Sequence, residues 1–141
     1  MKLKTVMSWS DGYTDEVQSN TLALGFANKQ IADLNTTFNL KLGFIENVDT
    51  DYVDMNDSWF VRFMLPALSY GIKMNDGSLT EAREYKNILD RAMYDFEGVE
   101  KSTVIAEDKI VGDSGTAYMI DTSNAIDIGW FNSGNSGWGG L

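Results

Sequence analysis

The run DTDYVDMND, residues 49–57, places four carboxylates (Asp49, Asp51, Asp54 and Asp57) within nine residues. Such density invites a calcium reading. A calcium-binding helix–loop–helix needs glycine at loop position six and glutamate at position twelve. Counted from Asp49, those places hold Asp54 and Phe60. The run therefore reads as a solvated acidic loop. GDSGT, residues 112–116, sets a serine between glycines, a setting compatible with a nucleophile. A serine nucleophile of that kind needs a histidine base, and the chain contains no histidine. Neighbouring carboxylates can flank a sugar and cleave it, but among 21 acidic residues such neighbours arise by chance. No GxxxxGK(S/T) phosphate cradle occurs. A third chemistry is stacking. Trp130, Phe131 and Trp138 lie in the ending GWFNSGNSGWGGL, and tryptophan stacks on sugars and bases alike. Base-stacking segments interleave cations, yet the last basic residue is Lys109. A protein surface is the better target. No catalytic residue, metal ligand or cofactor is assigned.

The totals narrow the field further. The 141 residues suffice for one domain with its own core. Absence of cysteine excludes disulfides, thiolate metal sites and a cysteine nucleophile. Net charge is −10. Phosphate backbones are gripped through lysine and arginine with release of counterions, so firm DNA binding is not expected. MKLKTVMSWSDGY lacks a leader-length apolar run, and no window reaches the roughly 18 apolar residues of a span. The expectation is a protein made in the cytoplasm, with no membrane partner.

The elements that would position these residues read as helices. Residues 14–38 form the first, with Thr14 as N-cap and Asp15 and Glu16 at the positive end of its dipole. Val17, Leu24, Ile31 and Phe38, with Ala27 and Leu34, make one apolar stripe facing a core. Residues 39–57 are a connector. A second helix covers 58–74, capped by Asp57 or Ser58, apolar nearly all round and kinked at Pro66. NDGS, residues 75–78, is a turn, and Ser78 with Glu81 has the spacing of a capping box. The helix that follows buries Leu79, Ala82, Tyr85, Leu89, Ala92, Met93 and Phe96, and stops at Gly98.

Beyond Gly98 the character changes. Seven of the 13 glycines fall in residues 112–141. TAYMID (116–121) and AIDIGWF (125–131) have strand composition, with TSN between them as a turn. A two-stranded ribbon alone is marginal in water. The expected outlet is strand addition to another chain. Tyr118, Ile120, Ile126, Ile128, Trp130, Phe131 and Trp138 are thus the candidate residues for binding a partner. The fold class is mainly α: a bundle of three to four helices over residues 1–98, then an extended, partly β arm over 99–141.

The stretch SWFVRFMLPALSYGIKMNDGSLTEAREYKNILDRAMYDFE, residues 58–97, resembles the small head–tail connector (adaptor, or head-completion) proteins of tailed bacteriophages. It shares their apolar helix, short MNDGS-type turn and following helix with an (A/E)xxY…L…F face. The resemblance implies a structural virion protein in the neck, assembled as a ring, commonly twelvefold, below the portal. It also implies contact with the portal protein and with a stopper or tail-completion protein, while DNA passes through the ring without specific binding. Asp49, Asp51, Asp54 and Asp57, or acids of the 78–97 helix, are then candidates to line the channel, because like charge repels passing phosphates over about 10 Å. The other reading is that these acids keep the monomer soluble before assembly. Two alternatives to an adaptor stand beside it: a strand-richer stopper protein, and a carbohydrate-binding module using the tail tryptophans.

Overall fold

The computed structural model describes residues 1–111. The expected strands at 116–121 and 125–131 and the aromatic tail lie outside the described residues. Within them the chain is mainly α, a small bundle of four helices: α1 (Leu3–Thr14), α2 (Asn20–Phe38), α3 (Asp57–Asp76) and α4 (Leu79–Glu97).

The helix α3 is the hub, and α1, α2 and α4 each pack chiefly against it. Its sequence explains the role. Phe60, Phe63, Met64 and Leu68 are fully or almost fully enclosed, and each such side chain contributes roughly 1.5–3 kcal/mol of transfer free energy. Pro66 lies inside the helix and is buried. Having no N–H, it leaves the carbonyl of Arg62 without its usual partner one turn on. Phe63 and Phe96 meet edge to face at 5.3 Å, and Phe38 joins Phe96 at 5.0 Å. Lys101 closes this aromatic cluster. Its Nζ donates to the carbonyls of Phe96 and Val99 at 2.7 and 2.9 Å, so a cation sits on the negative end of α4.

Several boundaries differ from those the sequence suggests. Residues 3–14 are helical, and Leu3, Val6, Met7, Ser10 and Thr14 form the buried stripe of α1. Thr14 is therefore the last residue of α1 and caps nothing after it; its hydroxyl donates to the carbonyl of Ser10 at 2.8 Å. Asp15 ends the helix with φ 59, a left-handed conformation that Asp tolerates better than most residues. Ser19 caps α2 instead, its Oγ accepting the N–H of Leu22 at 3.1 Å. Ala27, Ile31 and Leu34 of the expected stripe are buried, whereas Val17 precedes α2 and is 89% exposed. At α3 the cap is Asn56, whose Oδ1 accepts the N–H of Trp59 at 2.9 Å, and not Asp57 or Ser58.

The turn expected over residues 75–78 is shorter: α3 runs on through Asn75 and Asp76, and the chain turns at Gly77, with φ 82, and Ser78. The capping box does not form. Ser78 Oγ donates to Asp76 at 3.0 Å, and Glu81 turns towards Lys73 at 3.7 Å. Of the expected face of α4, Ala82, Leu89, Ala92 and Phe96 are buried, while Leu79 is 60% exposed.

The compact unit continues past Gly98 to Lys109. Val104 and Ile105 are buried. The amide of Asn56 donates to the carbonyl of Val104, and that of Ala106 to the carbonyl of Asp54, both at 2.9 Å. These bonds strap residues 104–106 along the end of the connector.

The connector is itself held by α2. Asn28 and Asn35 lie seven apart, on one side of the helix. Asn35 accepts the N–H of Leu42 at 2.8 Å and donates to its carbonyl at 3.1 Å. Asn28 does the same to Ile45, at 2.7 and 2.9 Å. Each amide stands in for a neighbouring strand, satisfying backbone groups that would otherwise be lost from water.

Candidate functional site

The four aspartates of the acidic run do not act as one. Asp49 is exposed, with Lys4 Nζ at 3.5 Å. Asp51 and Asp57 face the amino group of Met1 at 3.9 and 3.0 Å. Asp54 turns inward: its Oδ2 accepts the N–H of Gly43 at 2.8 Å, with Lys109 Nζ at 3.9 Å. Each therefore has a cation within 4 Å, which cancels much of the local field they would project. Beside Asp54, the Tyr52 hydroxyl donates to the carbonyl of Gly43 at 2.8 Å. Burial first, and then the Asp54 carboxylate, push the Tyr52 hydroxyl well above its ordinary pKa. Among the described residues no cluster of three or more Asp or Glu could hold a metal ion.

Acids of α4 are shared in the same way. Asp95 takes Arg62 at 2.8 Å and Asp90 takes Lys86. Arg62 also lies over the ring of Trp59 at 4.0 Å. Glu84 and Glu97 make no ion pair among the described residues, which leaves them as α4 acids with uncancelled charge.

The expected partner-binding residues Tyr118, Ile120, Ile126, Ile128, Trp130, Phe131 and Trp138 all lie outside the described residues. Two exposed apolar features lie within the described residues. One is an open groove of about 620 Å³ between α1 and α3, lined by Trp9, Tyr13, Val61 and Leu65 with Ser8 and Gly12. Trp9 and Tyr13 stand four apart on α1 and are 44% and 70% exposed. Val61 and Leu65 have the same spacing on α3, so two helical ridges border one channel. A Cβ at Gly12 would touch nothing, so this glycine leaves the floor open. No charged side chain lines the groove.

The second is on α4, where Ile88 and Tyr94 are 54% and 76% exposed and, six positions apart, lie about 120° from each other around the helix. Its composition is different: apolar groups mixed with Glu84 and Arg91. A signal for the groove existed in the sequence, because Trp9 and Tyr13 flank one edge of the 3, 6, 7, 10 and 14 stripe that marks residues 3–14 as an amphipathic helix. Exposed phenylalanine and valine also mark the connector, at Phe44 and Val53, above a depression edged by Glu46, Asp51 and Asp54.

No protein-family model, curated protein or solved structure matches this chain. Among the described residues no helix is long and apolar enough to cross a membrane.

Proposed function

We propose that this protein is a head–tail adaptor of a tailed bacteriophage, a structural virion protein that assembles as a ring below the portal and continues the DNA channel towards the tail. The observation that carries the reading is the uncharged apolar groove between α1 and α3, set apart from the exposed Ile88 and Tyr94 of α4. A surface that pairs with its own copy closes a two-fold dimer. Two different surfaces that pair with each other make a head-to-tail contact, which closes into a ring where the rotation returns on itself and otherwise runs on as a filament. The body's regular elements are helices, which favours an adaptor over a strand-richer stopper protein. The resemblance of residues 58–97 to connector proteins supplies the setting: a neck location, a portal above, a stopper or tail-completion protein below, and assembly in the host cytoplasm. Net charge of −10 suits a ring through which DNA slides without being held.

Native mass spectrometry of the full chain, alone and with purified portal particles, tests the proposal. A discrete ring mass, or stoichiometric binding to the portal, is expected. Trp9→Lys together with Tyr13→Glu places charge in the groove and lowers the association constant at least tenfold, with the helical circular dichroism unchanged. A chain that stays monomeric at every concentration and ignores the portal removes the adaptor reading.

A further inference from the structure

A third surface runs across α2, α3 and α4 as a chain of shallow depressions. The first, about 350 Å³, is bounded by Leu22, Gly25, Phe26 and Lys29. The next shares Phe26 and Lys29 with it and adds Tyr70 and Lys86. The last, about 240 Å³, shares Tyr70 and Lys86 and ends on Met74, Leu79 and Arg83. The shared residues link them into one trough, narrowest in the middle at about 100 Å³, where Gln30, Asp33 and Asp90 stand among apolar Ala67, Leu89 and Met93. Met74 and Leu79 are 40% and 60% exposed there, at the turn between α3 and α4.

The rim of this trough is unusual for so acidic a chain. Lys29, Arg83 and Lys86 border it, against Asp33 and Asp90. Lys29 pairs with Asp33 at 3.2 Å and Lys86 with Asp90, both exposed pairs of small worth. Arg83 has no ion-pair partner among the described residues. The balance is positive, whereas the α1–α3 groove is uncharged and the connector depression is edged by three acids.

Residues 112–141 have the complementary character. They contain Asp113, Asp121 and Asp127, no lysine and no arginine. In an extended segment, side chains alternate between faces. Ile126, Ile128 and Trp130 then share one face, and Asp127 lies on the other. That pattern suits an apolar floor with a cationic rim.

Resting on the ring reading above, we infer that the trough across α2, α3 and α4 receives residues 126–130 from a neighbouring copy of this chain. The 15 residues from Val111 to Ile126 span about 50 Å when extended. That is several times the roughly 13 Å radius of gyration of a domain of this size. In a ring each copy offers one trough and one arm, so exchange in a single direction fills every trough. Each arm binds weakly, because ordering glycine-rich chain costs about 1–2 kcal/mol per residue, and the closed ring strengthens it through effective concentration.

The chain has no cysteine, so engineered thiols report on this directly. Full-length protein carrying Leu79→Cys is mixed with full-length protein carrying Ile128→Cys, and oxidative linking between the two is followed by mass. Linking at least about tenfold faster than for Phe44→Cys mixed with Ile128→Cys is expected, given the millimolar effective concentrations of a docked arm. Adding Arg83→Glu and Lys86→Glu to the Leu79→Cys chain should bring the rate down to that of the control. Equal rates for the two mixtures overturn the inference. So does a disulfide that forms only within one chain bearing both substitutions, since the arm then lies on its own body. The ring mass is read separately: a ring without preferential linking removes the trough and keeps the adaptor, and preferential linking without a ring does the reverse.

Discussion

Asn28 and the backbone of Ile45 exchange two hydrogen bonds, at 2.7 and 2.9 Å, across 17 positions of sequence. The side chain thereby fixes which residue of the connector lies against α2. Asn35 repeats the arrangement at Leu42, so the connector is pinned at two points and Asp54, Tyr52 and Gly43 are brought into register.

Asn28→Ala should cost about 2–3 kcal/mol, because it strands both an N–H and a carbonyl of Ile45. Asn28→Asp keeps the acceptor but sets a second oxygen against the carbonyl of Ile45, and should cost at least as much as alanine. Urea denaturation of the three proteins checks the order. Equal midpoints for Asn28→Ala and the unaltered protein would show that water replaces the side chain without loss.

Ser10 and Ser69 share a buried hydrogen bond of 2.9 Å between α1 and α3, and neither is more than 1% exposed. Replacing one serine by alanine leaves the other hydroxyl enclosed among apolar groups, at a cost of about 1–3 kcal/mol. Replacing both removes the need for a partner. The double variant should therefore be more stable than the sum of the singles predicts, by about 1 kcal/mol or more in a thermodynamic cycle. Strict additivity would mean that the hydroxyls act independently.

The helical composition and the placement of α3 at the centre were legible from apolar patterning. α3 is apolar nearly all round, and α4 shows a clear amphipathic face that ends at Gly98. What stayed hidden has physical reasons. The buried stripe of α1 includes Ser10 and Thr14, polar residues whose hydroxyls are satisfied inside the fold, so hydropathy alone underrates it. Thr14 has the chemistry of a cap, and only the left-handed turn at Asp15 shows that it ends one helix and does not begin another. Leu79 satisfies the periodicity of α4 yet is 60% exposed, at the turn that joins α4 to α3. Among the candidate acids, the sequence showed a charged loop but not the cation beside each one, because Lys4 and Lys109 come from distant parts of the chain.

Lys73 and Tyr52 place a limit on stability at high pH. Lys73 is almost wholly covered, and its Nζ donates to Glu16 Oε2 at 2.9 Å and to the last carbonyl of α1, that of Thr14, at 3.3 Å. The hydrogen bond to Glu16 raises its pKa above 10.5, against the opposing effect of burial. Burial raises Tyr52 above 10.0. Both groups hold their protons more tightly when folded, so their contributions are complete below the ordinary values and fade as pH rises through the higher folded ones. The urea midpoint should fall steeply above about pH 10, and Tyr52→Phe and Lys73→Met should each flatten that fall. Lys73→Met should also be less stable at neutral pH than Lys86→Met, whose pair is exposed. Unchanged slopes in both variants would assign the alkaline loss to other groups.

Gly71 and Phe26 define how closely α2 approaches α3. A Cβ at position 71 would lie 2.4 Å from the ring of Phe26, inside any permitted contact, although Gly71 lies in mid-helix where alanine is otherwise preferred. The ring also meets Tyr70 edge to face at 6.1 Å. Two effects therefore oppose each other in Gly71→Ala: a helix-propensity gain of about 1 kcal/mol and overpacking of about 1–3 kcal/mol. The clash is the larger, and the single variant should be destabilised. Phe26→Leu removes the ring atoms in question, so the Gly71→Ala change made in that background should become neutral or stabilising. This sign reversal, read from thermal midpoints of the four proteins, isolates the contact from the general cost of altering either residue. If Gly71→Ala is equally destabilising with leucine at position 26, the glycine serves some other need than the ring. The same four proteins bear on the trough across α2, α3 and α4, because Phe26 forms part of its floor. Phe26→Leu should slow linking between the Leu79→Cys and Ile128→Cys chains while leaving the ring mass unchanged.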